Sequence, residues 1–354
     1  MRGAWLAQRA WTARTPGERA LRAALVPAAV AYGAAAAVRN RLYDAGWLRA
    51  RRVPARVVSV GNLTVGGTGK TPTVLWLAEH LAARGERTAI VARGYRKRRR
   101  GVVAVGEAGR PLVGPEDGGD EAVMLARRFR GPVVTGERRA EAAAFACARF
   151  AVDTIVLDDG FQHRALARDA DLVLASGDAL LAWLLPAGPL REPPRALGRA
   201  CAVLAVDELP AARRGVPLFR GTLRPTALVG VDGDGQWREE SLDALRGRRV
   251  VAVAGIARPE RFLATLGRAG AVVDEFLAFP DHHAYRADDA ARIAAAAGER
   301  LVVATEKDLV KLARLRAPAA LRALRVALEV EDGERLLDLL APASRSRGLD
   351  LRPD

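Results

Sequence analysis

Twelve consecutive residues combine glycines, hydroxyls and one lysine, in the sequence GNLTVGGTGKTP at 61–72. A short apolar run at 56–60 precedes them, and a run with helical spacing at 73–81 follows. Glycines let successive backbone N–H groups turn towards an anion, and the start of a helix adds partial positive charge. This order predicts a phosphate-binding loop, in which Lys70 contacts the β- and γ-phosphates of ATP and the Thr71 hydroxyl binds Mg²⁺.

The loop departs from the usual pattern at Thr64, where a glycine commonly lies six residues before the lysine. A glycine-rich turn with an incidental lysine is the alternative. Composition argues against it, because Lys70, Lys97, Lys307 and Lys311 are the only lysines among 56 basic residues. A lysine kept where arginine is the default indicates that a compact ammonium is needed there. The residues predicted to bind the nucleotide are Thr64, Val65, Gly66, Gly67, Thr68, Gly69, Lys70 and Thr71.

Two pairs of adjacent carboxylates are candidates for metal binding and proton transfer. Asp158 and Asp159 end an apolar run at 153–157, which is typical of the strand that carries a Mg²⁺-binding carboxylate. Asp-Asp-Gly is also a good turn, but the glycine loop upstream favours the metal site. Asp120 and Glu121 open a helix, where they either bind Mg²⁺ and accept a proton or only cap the helix. Spacing alone leaves that choice open.

Several residues at strand and loop ends are candidates for contact with an anionic substrate. Arg93 and Tyr95 follow the strand predicted at 87–92, and ligands bind at such strand ends in open α/β sheets. Arg191 lies in a proline-rich loop, where it either neutralises a transferring phosphate or pairs with Glu192. A single histidine is usually structural, but three of the four histidines here lie in loops, which favours chemistry. These three are His163, His282 and His283.

The elements that must position these residues form an α/β chain. With 354 residues, half of them apolar, the chain is long enough for two α/β units with separate cores. A Pro- and Gly-containing stretch near 222–235 predicts a hinge, and a second strand–helix unit begins at 249. We predict an N-terminal segment at 1–50, a phosphate-loop unit at 51–224, a linker at 225–235, a smaller α/β unit at 236–326 and a tail at 327–354.

The N-terminal segment is alanine-rich and apolar from 21 to 38, but Pro27 and Gly33 interrupt it. We expect an interfacial helix rather than a membrane span; a signal peptide and a helix packed on the enzyme are the alternatives. The expected aromatic anchors are Trp5, Trp11, Tyr32, Tyr43 and Trp47, and the arginines expected at anionic headgroups are Arg39, Arg41, Arg49, Arg51 and Arg52. The net charge of +15 also fits nucleic acid or a phosphorylated substrate, or an evenly basic surface.

Taken together, the motifs resemble those of the tetraacyldisaccharide 4'-kinase family, in collinear order along nearly the whole chain. The matching motifs are 61–72, ARGY at 92–95, GDEA at 119–122, DDGFQH at 158–163, PAGPLRE at 186–192, AGIA at 254–257, FPDHH at 279–283 and TEKD at 305–308. The resemblance implies two α/β/α sandwich domains joined by a short β linker, the first like a P-loop NTPase. It implies transfer of the ATP γ-phosphate to the 4'-hydroxyl of an acylated glucosamine disaccharide 1-phosphate.

The resemblance also implies roles for individual residues. Lys70 and Arg191 act on the phosphates, Asp120 is the base, and His282 orients it, with His283 in reserve. Thr71, Glu121, Asp158 and Asp159 bind Mg²⁺, and Arg93, Tyr95, Gln162 and His163 bind the lipid substrate. It further implies a monomer at the cytoplasmic face of the bacterial inner membrane, with an anionic membrane surface and no nucleic acid as partner.

Two other classes of protein share some of these features. One is a nucleotide-switched assembly protein or a different P-loop enzyme. ATP turnover that does not require an acylated sugar would indicate this class. The other is a nucleic-acid-dependent ATPase, which the net charge of +15 suggests. The chain has no helix-turn-helix, zinc module or RNA-binding pattern to support that second class.

Overall fold

The computed structural model describes residues 10–175, 177–210, 215–232, 235–315 and 320–342. Strands and helices alternate along most of the chain, and the predicted α/β class is confirmed. The elements of the first half are α1 (Pro16–Asp44), β1 (Arg56–Asn62), α2 (Lys70–Ala83), β2 (Thr88–Ala92), β3 (Val103–Glu107), β4 (Arg110–Pro111), α3 (Pro115–Gly118), α4 (Asp120–Arg128), β5 (Val133–Thr135), α5 (Arg139–Phe150), β6 (Thr154–Asp158), β7 (Ala170–Leu174) and β8 (Ala202–Val206).

The second half contains fewer and longer strands. Its elements are β9 (Leu218–Val231), β10 (Trp237–Glu240), β11 (Arg249–Ala254), α6 (Pro259–Arg268), β12 (Val272–Ala278), α7 (Ala287–Ala297), β13 (Leu301–Thr305), α8 (Glu306–Leu312), β14 (Leu321–Val330) and α9 (Gly333–Leu340). Short 3₁₀ turns lie at Asp178–Leu181, Pro194–Arg199 and Leu242–Leu245.

Within the described residues, all of these strands belong to one sheet. Its order is β12-β11-β13-β14-β9-β8-β7-β1-β6-β2-β5-β3-β4, with β10 paired to β9. Neighbours are parallel from β12 to β14 and from β9 to β5, and the two stretches meet at the antiparallel pair β14–β9. Parallel strands covered on both faces are expected to be buried and mainly apolar, and every residue of β2, β6 and β8 is buried.

Strand β9 occupies most of the stretch where the sequence indicates a hinge. It pairs with β8 from Leu218 to Gly221 and with β14 from Gly221 to Gly230. The proline that suggested a break, Pro225, faces Val326 where the ladder register shifts. A proline is tolerated at such an irregularity because no regular ladder hydrogen bond is required of it. The division into domains stays a prediction, and the linker proposed at 225–235 begins inside β9.

Helix α1 is continuous through Pro27 and Gly33 over 29 residues, so the expectation that this stretch is too short and too interrupted for a membrane span is wrong as to length and continuity. It begins with a capping box of Thr15 and Glu18, which satisfies the first free N–H groups. An 18-residue window of the helix has a mean hydropathy of 1.6, and only 11% of that window is buried. By length and composition this helix alone among the described residues is able to cross a membrane.

Helix α9, in the predicted tail, completes the core of the first unit. Leu336, Leu337 and Leu340 are fully buried in the cluster that also contains Leu77 and Leu81 of α2. The core around the phosphate-loop helix therefore depends on residues far along the chain.

We expect Leu337→Ala to lower the free energy of unfolding by ~2–5 kcal/mol, because it leaves a cavity in a close-packed core. The matched control is Leu339→Ala on the same helix, where the side chain is 41% exposed. Denaturant titration of both variants provides the test. Equal effects of the two substitutions would show that α9 is not part of this core.

Candidate active site

A cavity of about 540 Å³ lies between the two units. Residues from both halves line it, and most of them follow the carboxyl ends of parallel strands. The first half contributes Val65–Pro72, Ala92–Tyr95, Gly119–Ala122, Asp158, Asp159 and Arg191, and the second contributes Ile256–Arg258, Asp281, His282 and Thr305–Lys307, among others. The sheet thus brings loops that are distant in sequence to one cleft, as is general for open α/β sheets.

The phosphate loop leads into α2, and no side chain caps the backbone N–H groups at the start of that helix. Gly69 is the N-cap residue at φ +87°. A left-handed φ at this position favours glycine. Lys70 Nζ lies 3.0 Å from Asn62 Oδ1 and 3.5 Å from Asp159 Oδ1, so the ammonium is held over the loop. A helix N-terminus with free N–H groups and an adjacent lysine is suited to bind phosphate.

Thr64 departs from the usual loop pattern because it contacts a second loop. It forms an isolated β-bridge with Leu190, and the adjacent Val65 N–H donates to the Pro189 carbonyl at 2.8 Å. The Asn62 amide donates to the Thr64 hydroxyl at 3.4 Å. The extended backbone needed for this bridge does not require glycine. The phosphate loop is therefore braced by the proline-rich loop that carries Arg191.

The two aspartates after β6 have different environments. Asp158 is buried, and its Oδ1 has no hydrogen-bond partner among the described residues. Burial, with the neighbouring charges of Glu121 and Asp159, raises the pKa of Asp158 to about 7. Burial also raises the pKa of Asp159, but Lys70 and Arg191 outweigh it and hold that pKa below its ordinary value.

Arg191 pairs with Asp159 rather than with its neighbour Glu192. Its Nη1 lies 2.9 and 2.8 Å from the two Asp159 carboxylate oxygens. Glu192 instead accepts hydrogen bonds from Arg199 and Asn40. The alternative of an Arg191–Glu192 pair is therefore wrong, and Arg191 faces the cavity.

An unpartnered carboxylate beside a phosphate loop fits a cation. Within the described residues, no three His, Cys, Asp or Glu side chains converge as a metal cage. A Mg²⁺ site beside a nucleotide does not need such a cage, because phosphate oxygens and water supply most of its ligands. The orphaned Asp158 Oδ1 and the hydroxyl of Thr71 at the start of α2 therefore fit Mg²⁺ bound with nucleotide.

Asp120 is the first residue of α4, and a histidine from the second unit lies against it. His282 Nδ1 lies 3.2 Å from Asp120 Oδ2, whereas His283 Nε2 lies 2.9 Å from Asp289. Gly119 is the N-cap residue, with φ +90°, so Asp120 is not the N-cap, although its Oδ1 accepts from the Glu121 N–H at 2.9 Å in the first turn. The cleft thus brings together the predicted base and the first of the two candidate histidines.

Several positive groups surround the Asp120 carboxylate. Lys311 Nζ lies 3.4 Å from Oδ2, and Lys307 Nζ lies 3.4 Å from the adjacent Glu121. Burial alone would raise the pKa of Asp120. The hydrogen bond from His282 and the charges of both lysines together outweigh burial, so the pKa of Asp120 lies below its ordinary value. Asp120 is therefore ionised at neutral pH and able to accept a proton.

The backbone of the second unit fixes His282. Its N–H donates to the Gly255 carbonyl at 3.2 Å, and its ring centroid lies 4.8 Å from that of Tyr95. His282 has φ +57°, a left-handed conformation that is uncommon outside glycine but to which histidine is adapted better than most residues. The buried Asp308 carboxylate accepts a hydrogen bond from the Gly255 N–H at 2.9 Å, which holds the end of β11.

Comparison with known proteins bears on what this cleft does. A family model described as tetraacyldisaccharide-1-P 4'-kinase matches residues 21–343. Curated tetraacyldisaccharide 4'-kinases from Anaeromyxobacter dehalogenans (strain 2CP-C) and Chlorobaculum tepidum are 46% and 40% identical, over 89% of this chain in each case and 89% and 97% of theirs. The crystal structure of LpxK from Aquifex aeolicus in complex with ATP has a TM-score of 0.76 and 33% identity, covering 90% of this chain and 98% of that one.

The chain belongs to the tetraacyldisaccharide 4'-kinase family. Its activity is ATP-dependent phosphorylation of a tetraacyl disaccharide 1-phosphate at the 4'-hydroxyl, which forms lipid IVA in lipid A biosynthesis. The cleft described above contains a phosphate loop, several carboxylates and the Asp120–His282 contact.

Two residues predicted to bind substrate lie outside the lining of the cavity. The Gln162 amide donates to the Asn62 carbonyl at 3.1 Å, and its oxygen accepts from Arg191 at 3.4 Å. His163 is half-buried among arginines. Burial, then the charges of Arg139 and Arg168, lowers the pKa of His163 to about 4. Both residues support the loop after β6 in this kinase.

Sequence reasoning did not assign three polar residues that contact the site. Asn62 contacts Lys70, while Lys307 and Lys311 surround the carboxylates of α4. The rarity of lysine in this chain was the available signal for the last two, since all four lysines are conspicuous against the arginines. For Asn62, the signal was only its position beside the glycine loop.

We expect acid to destabilise this kinase partly through His163. The folded pKa of about 4 lies below the ordinary 6.5, so the unfolded chain binds the proton first as pH falls from 6.5 to 4. His163→Gln should therefore lose less thermal stability than the native protein between pH 7 and pH 5. Thermal unfolding at several pH values measures this, with His80→Gln as control. Parallel pH profiles for native and His163→Gln proteins would contradict the expectation.

Proposed function

We propose that this kinase uses Asp120 as the base for the 4'-hydroxyl and His282 as the residue that orients Asp120. The supporting observation is the 3.2 Å contact between these side chains across the cleft, next to the phosphate loop. A sugar hydroxyl has too high a pKa to attack efficiently while it keeps its proton. Asp120 is ionised, as a base must be before it accepts a proton, and it is buried.

The proposed transfer conserves atoms and charge. The 4'-oxygen forms a bond to the γ-phosphorus, while the bond from that phosphorus to the β,γ-bridging oxygen breaks and ADP leaves. The hydroxyl proton passes to the Asp120 carboxylate. His282 keeps its Nδ1 side towards Asp120, which holds the carboxylate in one rotamer during the transfer.

Positive groups of the first unit neutralise the phosphates. Residues 66–71, which line the cavity, bind the triphosphate through backbone N–H groups, Thr64 and Val65 hold the loop against 189–190, and Lys70 contacts the β- and γ-phosphates. Arg191 shares Asp159 with Lys70, so it lies close enough to act on the same phosphates. Such stabilisation of developing charge is commonly the largest contribution to phosphoryl transfer.

Mg²⁺ would be held by Thr71, Glu121, Asp158 and Asp159 together with the nucleotide. It would neutralise charge that develops on the phosphate oxygens. The unpartnered oxygen and raised pKa of Asp158 support its assignment. Asp159 is ionised and already paired with two cations, so it contributes from the periphery of the site.

The lipid substrate approaches the same cleft. Arg93 and Tyr95 line the cavity beside Asp120, and we assign them to the disaccharide phosphate. Gln162 and His163 act behind Arg191, on the loop that follows Asp159. We further propose that 51–224 and 236–326 are domains that close on the substrates, because His282 and Asp120 come from different sides of the cleft.

We propose that the enzyme acts as a monomer at the cytoplasmic face of the inner membrane. Helix α1 would anchor it by lying in the membrane interface. Val30, Val38 and Trp47 are exposed by 65%, 53% and 81%, which is unusual for large apolar side chains unless they bind lipid. Trp5 lies outside the described residues. Arginines on the same segment favour an anionic surface.

The base assignment is tested with Asp120→Asn, which keeps the size of the side chain. We expect kcat to fall by ~10²-fold or more with little change in ATP affinity, because the proton acceptor is lost while the phosphate loop is unchanged. His282→Ala should lose a similar factor, and the double variant should be little worse than either single variant. His283→Ala is the control, since His283 pairs with Asp289 instead. Strictly multiplicative losses would show that the two residues act independently.

Membrane binding is tested by replacing Val30, Val38 and Trp47 together with serine. We expect the triple variant to bind ATP normally but to sediment poorly with vesicles that contain phosphatidylglycerol, since the exposed apolar surface is lost. Vesicles of phosphatidylcholine alone test the dependence on anionic lipid. Unchanged sedimentation of the variant would place the anchor elsewhere.

A further inference from the structure

Helix α1 has two faces with different surroundings. Tyr32, Arg39 and Asn40 lie on one face, at positions i, i+7 and i+8, and all three contact the body of the enzyme. Val30 and Val38 lie roughly 200° around the axis from Tyr32 and Asn40 and are exposed. The helix is therefore positioned to bind lipid with one side and the kinase with the other.

The contacts of the enzyme-facing side concentrate on the loop that carries Arg191. The Tyr32 hydroxyl donates to the Arg191 carbonyl at 3.0 Å, and the Asn40 amide donates to the Glu192 carboxylate at 2.7 Å. Trp11, just before the helix, donates from its indole N–H to the Pro186 carbonyl at 3.0 Å. Few of these helix residues are buried, so polar contacts rather than a shared apolar core define how the helix sits.

Glu192 links this contact to the rest of the site. Its side chain is completely buried, and Arg199 donates at 2.9 Å to Oε2, the same carboxylate oxygen that accepts from Asn40. Arg199 lies over the ring of Phe161, which follows Asp159 in the chain. A buried carboxylate needs partners to offset its lost hydration, so removing one of them disturbs the loop.

A continuous series of contacts then reaches the phosphates. Arg191 binds Asp159 through both carboxylate oxygens, and Asp159 lies 3.5 Å from Lys70. The same proline-rich loop braces the phosphate loop through Leu190 and Thr64. A shift of this loop would therefore move the Arg191 guanidinium and the wall of the phosphate site together.

We infer that Tyr32 and Asn40 of the N-terminal helix are positioning residues for Arg191, in addition to any role of the helix in lipid binding. This inference rests on the proposed action of Arg191 on the phosphates. Tyr32 holds the Arg191 carbonyl and Asn40 holds the Glu192 carboxylate, so the helix fixes the segment from which the Arg191 guanidinium reaches Asp159 beside the phosphate loop. A helix that served only as an anchor would need no hydrogen bonds to this loop.

The test uses the full-length chain with Tyr32→Phe and Asn40→Ala combined, in which the apolar face of the helix is intact. Each substitution removes a hydrogen-bonding group and leaves α1 able to form. We expect kcat to fall by ~10-fold with the KM for ATP within a factor of two and with unchanged vesicle sedimentation. Tyr43→Phe is the matched control, since Tyr43 is on the same helix and contacts Arg164 through its ring.

The decisive measurement repeats the helix substitutions in an Arg191→Ala enzyme. If the helix acts through Arg191, the same substitutions should cause no further loss of kcat in the Arg191→Ala enzyme. The effects of substitutions at coupled residues do not add. An equal loss in both backgrounds would overturn the inference while leaving Arg191 catalytic. No loss in the native background would overturn it as well. Full activity of Arg191→Ala alone would instead refute the role proposed for Arg191, and the inference with it.

Discussion

The antiparallel pairing of β9 with β14 determines how the site is assembled. It joins two parallel stretches of sheet into one, so the carboxyl ends of strands from both halves border a single cleft. Lys70 follows β1, Asp159 follows β6 and His282 follows β12, although these residues are far apart in sequence. Neither half contains the whole cluster, because Asp120 comes from the first and His282 from the second.

Charge is distributed unevenly over that cleft. Asp120 and Asp159 are surrounded by cations and stay ionised, whereas burial beside other carboxylates raises the pKa of Asp158 to about 7. Lys70 and Arg191 share one carboxylate, which keeps both cations beside the phosphate loop before any phosphate binds. The electrostatic environment that phosphoryl transfer needs is thus largely preorganised by side chains, as catalysis through charge stabilisation requires.

Much of this architecture was predictable from local sequence. The strand at 56–60, the helix at 73–81 and the strand before Asp158 follow from apolar runs beside glycines and carboxylates, and all are confirmed. Proline-based reasoning was less successful, because Pro27 lies inside a continuous helix and Pro225 inside a strand. Packing of α9 on α2 and the contact of α1 with the Arg191 loop depend on tertiary contacts that local patterns do not encode.

The central claim, that Asp120 accepts the proton of the 4'-hydroxyl, is tested most directly by varying the acidity of the acceptor. Single-turnover transfer is measured for native and Asp120→Asn enzymes with the natural disaccharide and with an analogue fluorinated beside the 4'-hydroxyl. A more acidic hydroxyl needs less help from a base, so the penalty for Asp120→Asn should shrink markedly with the analogue. An identical penalty for both acceptors would show that Asp120 does not serve as the base.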